Sequence, residues 1–175
     1  MANCRPSIPA YVETDCVQET GRVVAIAFIH KDIHAAIYAD PSNASNWVDG
    51  AYTSDLEVFQ EARGTYSGGQ PTEVGGLGNQ STRVVNAAHT LTVQVEGVKG
   101  NEDFWNQIQK SNDYRVAFVV GGTYDLLMIN NEDISIYANV PIEEGLDTEV
   151  LWNVVVKWET VNNPKTSNVP AGVFQ

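Results

Sequence analysis

Basic side chains are scarce in this sequence: 10 lysines and arginines stand against 22 aspartates and glutamates, a formal charge of -12. Gripping nucleic acid or an anionic membrane takes a face rich in lysine or arginine, so neither is expected as an adhesive partner. The acidic excess fits two other uses, simple solubility or the lining of a passage through which DNA slides without sticking. Cysteine is almost absent, with Cys4 and Cys16 the only two. Their spacing is too wide for half of a zinc knuckle, and no second pair exists to complete one. Two readings remain for them: a disulfide pinning the N-terminal segment in an oxidising environment, or two unpaired structural thiols. No apolar run is long enough to span a bilayer. The opening MANCRPSIPAYVETDC has no continuous apolar segment, so no secretory signal is read and folding in a cytoplasm is expected.

Catalytic constellations are missing as well. His30 and His34 are four apart, a helical metal spacing, but the surrounding residues read as strand, which separates them. No glutamate follows His30 as a metalloprotease would need. His89, at a strand start, reads as a surface or arm-base residue rather than a general base. No serine lies in a nucleophile elbow. Gly75-Gly76-Leu77-Gly78 lacks the lysine and the following helix of a phosphate loop. The acidic pairs Glu102-Asp103, Glu132-Asp133 and Glu143-Glu144 mark helix starts or solvated turns, not a calcium loop. Trp105, Trp152 and Trp158 sit at core positions; Trp47 alone is left as an exposed ring on which a sugar could stack. No enzyme activity, cofactor or metal is expected.

What the chain does contain is the composition of one globular domain, 43% apolar and 18% charged over 175 residues. Residues 1–20 read as an extended N-terminal arm. Gly21 to His30 (GRVVAIAFIH) is apolar on both alternating faces, as in a strand covered on both sides. Asp40-Pro41 predicts a short helix, with Asp40 as cap and Gly50 as stop. From Ala88, AHTLTVQVEG alternates with Leu91, Val93 and Val95 on one face. NEDFWNQIQKS predicts a helix capped by Asn101, with Phe104, Trp105 and Ile108 on the stripe that docks on a sheet. YRVAFVV, YDLLMI and DISIYANV follow, separated by Gly121-Gly122 and Asn130-Asn131 turns. Glu149 to Thr160 places Val150, Trp152, Val154, Val156 and Trp158 on one face. Residues 161–175 read as a second extended arm. The expectation is a mainly β domain over 21–160, a β-sandwich or small barrel with one short flanking helix.

Between Glu61 and Arg83 the sequence EARGTYSGGQPTEVGGLGNQSTR holds six glycines and almost no aliphatic side chains. With little to bury, it is expected to project from its domain as a mobile hairpin arm, ordered by a neighbouring subunit. The residues expected to make that inter-subunit contact are Arg63, Tyr66, Gly68, Gly69, Gly75, Gly76, Gly78 and Arg83.

The order of strand, long hairpin arm, alternating strand, short helix and closing strand resembles the tail-tube family of tailed bacteriophages. That family is in turn similar to the tube proteins of contractile injection and type VI secretion systems. GNEDFWNQIQKSNDYRVAFV and the closing TEVLWNVVVKWE also resemble small virion proteins of phages infecting Bacteroidetes. The resemblance spans residues 21–160. It implies subunits that close into rings, hexameric in that family, which stack into a channel carrying DNA as passive cargo. It also implies contacts with other virion proteins and a location in the virion after assembly in the host cytoplasm. The tryptophan-rich closing strand and the N-terminal arm with two cysteines depart from the pattern. They leave room for a head-decoration or ring-connector protein, and Trp47 for a surface- or carbohydrate-binding module.

Overall fold

A computed structural model describes residues 21–52, 55–75, 82–122, 125–142 and 149–174. The expected arm over 1–20, Cys4, Cys16, Gly76, Gly78 and the Glu143-Glu144 pair lie outside the described residues. The chain runs β1 (Val23–His30), α1 (Lys31–Ala39), α2 (Ala44–Tyr52), β2 (Leu56–Phe59), β3 (Ala62–Val74) and β4 (Arg83–Val95). It continues through α3 (Glu102–Gln109), β5 (Tyr114–Val120), β6 (Asp125–Met128), β7 (Ile134–Asn139), β8 (Trp152–Glu159) and β9 (Lys165–Asn168). All pairings are antiparallel, in the order β7-β8-β4-β3-β1-β5-β6-β9, with β2 beside β3 on the same edge of β1. The sheet does not close on itself, so the mainly β, sandwich-like architecture is present and the barrel is not.

Two apolar clusters explain the layering. Alternate residues of β4, β7 and β8 (Leu91, Val93, Ile134, Ile136, Val154, Val156) meet Ile26 and Phe28 of β1 and Val116 and Phe118 of β5. Trp105 of α3 plugs this core. Its ring lies 5.7 Å from Phe28, 5.5 Å from Phe59 and 5.8 Å from Trp152. The intervening residues of β1 and β5 (Ala25, Ala27, Ile29, Ala117, Val119) face the opposite way and pack under Ile37 of α1, Trp47 of α2 and Phe174. That second layer is why β1 is apolar on both faces.

The helices differ from the sequence reading. His30 and His34 do not share a strand: His30 ends β1 and is the N-cap of α1, where its Nδ1 accepts from the Asp32 amide at 3.4 Å. His34 is buried on the helix, its Nε2 3.0 Å from the carbonyl of Ile129. Burial holds the His34 imidazole below its ordinary pKa, and the nearby Arg115 cation acts in the same direction. Among the described residues no group of three potential ligands could hold a metal. The second helix begins after Pro41, not at it. Asn43 is the working cap, accepting from the Ser45 amide at 3.1 Å, while Asp40 ends α1. Asn101 occupies the cap position of α3, but its side chain donates to the Gly97 carbonyl at 2.6 Å instead of capping.

Two further expectations are corrected. Trp47 is not exposed: it is buried, donates to the Pro41 carbonyl at 2.9 Å and meets Phe174 edge-on at 5.2 Å. Residues 161–175 do not form a free arm through their described part. Strand β9 completes the sheet beside β6, and Lys165 donates to the carbonyls of Tyr38 and Ala39 at 2.7 and 3.4 Å. A cation there satisfies the last carbonyls of α1 and suits the negative end of its dipole.

Candidate functional site

The stretch expected to project as a hairpin arm is a hairpin, and most of it is strand. β3 and β4 pair from Ala62↔Val95 out to Val74↔Arg83, a ribbon far longer than its support. On its outer side β3 meets β1 only at Val23↔Gly64. β4 is held by β8 from Val95 down to Ala88, with one more rung from the Thr160 amide to the Ala87 carbonyl at 3.0 Å. Beyond that point, among the described residues, both edges of the hairpin are without a strand partner. The outer half therefore projects as a two-stranded ribbon.

Its side chains are not those of a solvated loop. Val74, Val84 and Val85 are 48%, 44% and 40% exposed. Isolated exposed valines need no explanation, but three on a projecting ribbon with bare edges make it the candidate contact surface. The pairing register shifts twice, between Ser67 and Gln70 and between Thr72 and Glu73. Such bulges bend the bulged strand and raise the local twist of a ribbon.

The base of the hairpin is packed, and two of its glycines form a bulge there. Ser67 pairs with Thr90 and Gln70 with Ala88, so Gly68 and Gly69 together oppose His89. A Cβ on Gly69 would lie 2.8 Å from His89 Cε1 and 2.7 Å from the Ala87 Cβ. Glycine in this strand marks a bulge and a close approach. Tyr66 is a base residue as well, partly buried against Phe118 at 5.2 Å.

Of the two readings of His89, surface or arm base, the structure gives the arm base: the residue is 1% exposed. Its Nε2 lies 3.0 Å from the Thr160 carbonyl and its Nδ1 2.7 Å from the Tyr66 hydroxyl. A carbonyl can only accept, so Nε2 carries the hydrogen and Nδ1 accepts from Tyr66. The three rings of Tyr66, His89 and Trp158 lie within 3° of parallel. Burial raises the Tyr66 phenol pKa and keeps it a donor. One histidine thus ties β3, β4 and the segment after β8 together where the ribbon leaves the sheet. Sequence spacing could not have found it, because Tyr66, His89 and Thr160 meet only through strand register.

The charged arm residues fall at opposite ends. Arg63, at the base, pairs with Glu149 of its own chain at 3.5 Å, both well exposed. Arg83 is exposed at the start of β4, beside Val84, and Gly75 is exposed just past the end of β3. A second apolar zone flanks the β7–β8 connection, where Tyr137, Ile142 and Val150 are 60%, 85% and 50% exposed. No family model, curated protein or solved structure matches this chain.

Proposed function

We propose that this chain is a structural virion protein that self-assembles into rings or a tube, a tail-tube subunit whose channel carries DNA as passive cargo. The observation that carries the reading is the β3–β4 ribbon. Its outer half leaves Val74, Val84, Val85 and both backbone edges without a partner among the described residues. A monomer gains nothing from such a ribbon and risks aggregation by it, whereas a neighbouring subunit can cover it.

The formal charge of -12 supports the conduit part of the proposal, since an acidic wall does not hold DNA by counterion release. A head-decoration or ring-connector protein would use the same ribbon, and differs only in what it assembles on. The carbohydrate-binding alternative loses its platform with the burial of Trp47. Electron microscopy of concentrated purified protein tests the proposal. Annular particles or stacked tubes with a central channel are expected; particles that stay monomeric at every concentration would overturn it.

A further inference from the structure

We infer that the groove beside Trp158 receives the outer half of the β3–β4 hairpin from a second copy of this chain. The inference rests on the assembly reading and adds to it the surface on which the hairpin lands.

The groove has a volume of about 760 Å³ and lies at the end of the sheet where the ribbon departs. Its apolar lining comes from Ala88, Ile134 and Trp158, its acidic lining from Glu132, Asp133 and Glu159, and its one cation is Lys157. It opens beside β7, the terminal strand in the sheet order, whose outer edge has no strand partner among the described residues. The acidic wall is held in place. Buried Arg115 donates to the carbonyls of Asn112 and Tyr114 at 2.9 and 2.8 Å, to the Asn131 side chain at 3.2 Å and to Asp133 at 3.3 Å.

Two of the three carboxylates are engaged within the chain, Asp133 by Arg115 and Glu159 by the Asn86 side chain at 2.8 Å. Glu132 differs. Its Oε2 is closed off from solvent and has no hydrogen-bond partner among the described residues. The lining holds three carboxylates against one lysine, so the groove is acidic on balance and favours an occupant that brings a cation. Arg83 is the one cation among the described residues of the hairpin's outer half; it stands beside the exposed Val84 and Val85, with Glu73 the one acid, across from Val84. Apolar and charged features therefore complement one another on two surfaces of the same molecule.

Those surfaces cannot meet within one chain. Arg83 is five residues beyond Ala88 along an extended strand, roughly 17 Å away at the usual rise per residue. The contact must be heterologous, tip of one copy to base of the next. Repetition of such a contact closes into a ring or runs on as a helical tube.

Two measurements test the groove. In the first, Cys4→Ser and Cys16→Ser remove the native thiols, and protein carrying Val84→Cys is mixed with protein carrying Ser135→Cys. Mild oxidation of the assembled mixture is expected to trap a mixed disulfide dimer between the two variants. In the second, Arg83→Glu and Glu132→Arg are each expected to raise the concentration needed for assembly by roughly tenfold or more, with the pair together recovering most of the loss. Glu132→Gln serves as the milder variant should the reversal impair folding, and it should weaken assembly in the same direction.

If wild-type protein assembles but neither the disulfide nor the charge reversal registers, the groove is not the landing site and the assembly reading stands. The groove is likewise lost as the landing site if a different virion protein, and not a second copy, protects it. If wild-type protein never assembles, both readings fall together.

Discussion

Gly69 lies directly against His89, so close that a Cβ added there would be 2.8 Å from His89 Cε1 and 2.9 Å from Nε2. The neighbouring Gly68 has nothing within 4 Å of the same position. The two glycines of one bulge are therefore not equivalent. The ring under Gly69 cannot yield easily, because both of its nitrogens are bonded and Trp158 stacks against it. Gly69→Ala is expected to destabilise by about 1–3 kcal/mol, the usual cost of overpacking, while Gly68→Ala is close to neutral. Urea unfolding of the two variants checks this; equal effects would show that the contact is not tight.

The aromatic core provides a second test. Trp152 packs on Trp105, yet its indole Nε1 is buried without a hydrogen-bond partner among the described residues. Trp152→Ala is expected to cost about 3–5 kcal/mol, a large part of a domain's stability. Trp152→Phe keeps most of the apolar contact and removes the orphan donor, so its cost should be well under half of that. Chemical denaturation separates the outcomes, and a phenylalanine variant as unstable as the alanine one would contradict this view of the site.

How the fold follows from the sequence is clearest where one strand packs on one core. The alternation of β4 and β8, the two-faced apolar run of β1 and the amphipathic stripe of α3 all follow from local pattern. The first helix is hidden because the apolar residues of β1 run straight into it, with no proline or glycine between and a histidine as cap. The burial of Trp47 depends on Phe174 from the far end of the chain, a contact no local pattern reveals. In the hairpin, glycine content alone suggests flexibility. The β-forming Thr65, Tyr66, Val84 and Val85 point to strand instead, and the glycines are where β3 bulges over His89.

A third prediction concerns acid. His34 is held neutral in the fold, chiefly by burial, so its pKa lies below the ordinary value of 6.5 that it regains on unfolding. As pH falls below about 6.5 the unfolded chain takes up a proton that the folded chain resists, and stability declines. The contribution is complete above that pH and is lost progressively until the folded pKa is passed. His34→Gln can still donate to the Ile129 carbonyl but does not titrate. It should be less stable than wild type near neutrality, with a flatter dependence of stability on pH between 7 and about 5. Parallel curves for the two proteins would remove His34 as the source.

On the assembly reading, the outer hairpin drives self-association while the domain folds without it. The most direct measurement is sedimentation velocity over a concentration series, comparing wild type with Val74→Ser/Val84→Ser/Val85→Ser. All three valines are exposed in the isolated chain, so the variant should keep wild-type thermal stability. Wild type is expected to shift into discrete large species as concentration rises, and the variant to remain a monomer at the same concentrations. Equal assembly by the two proteins would contradict a hairpin-driven assembly.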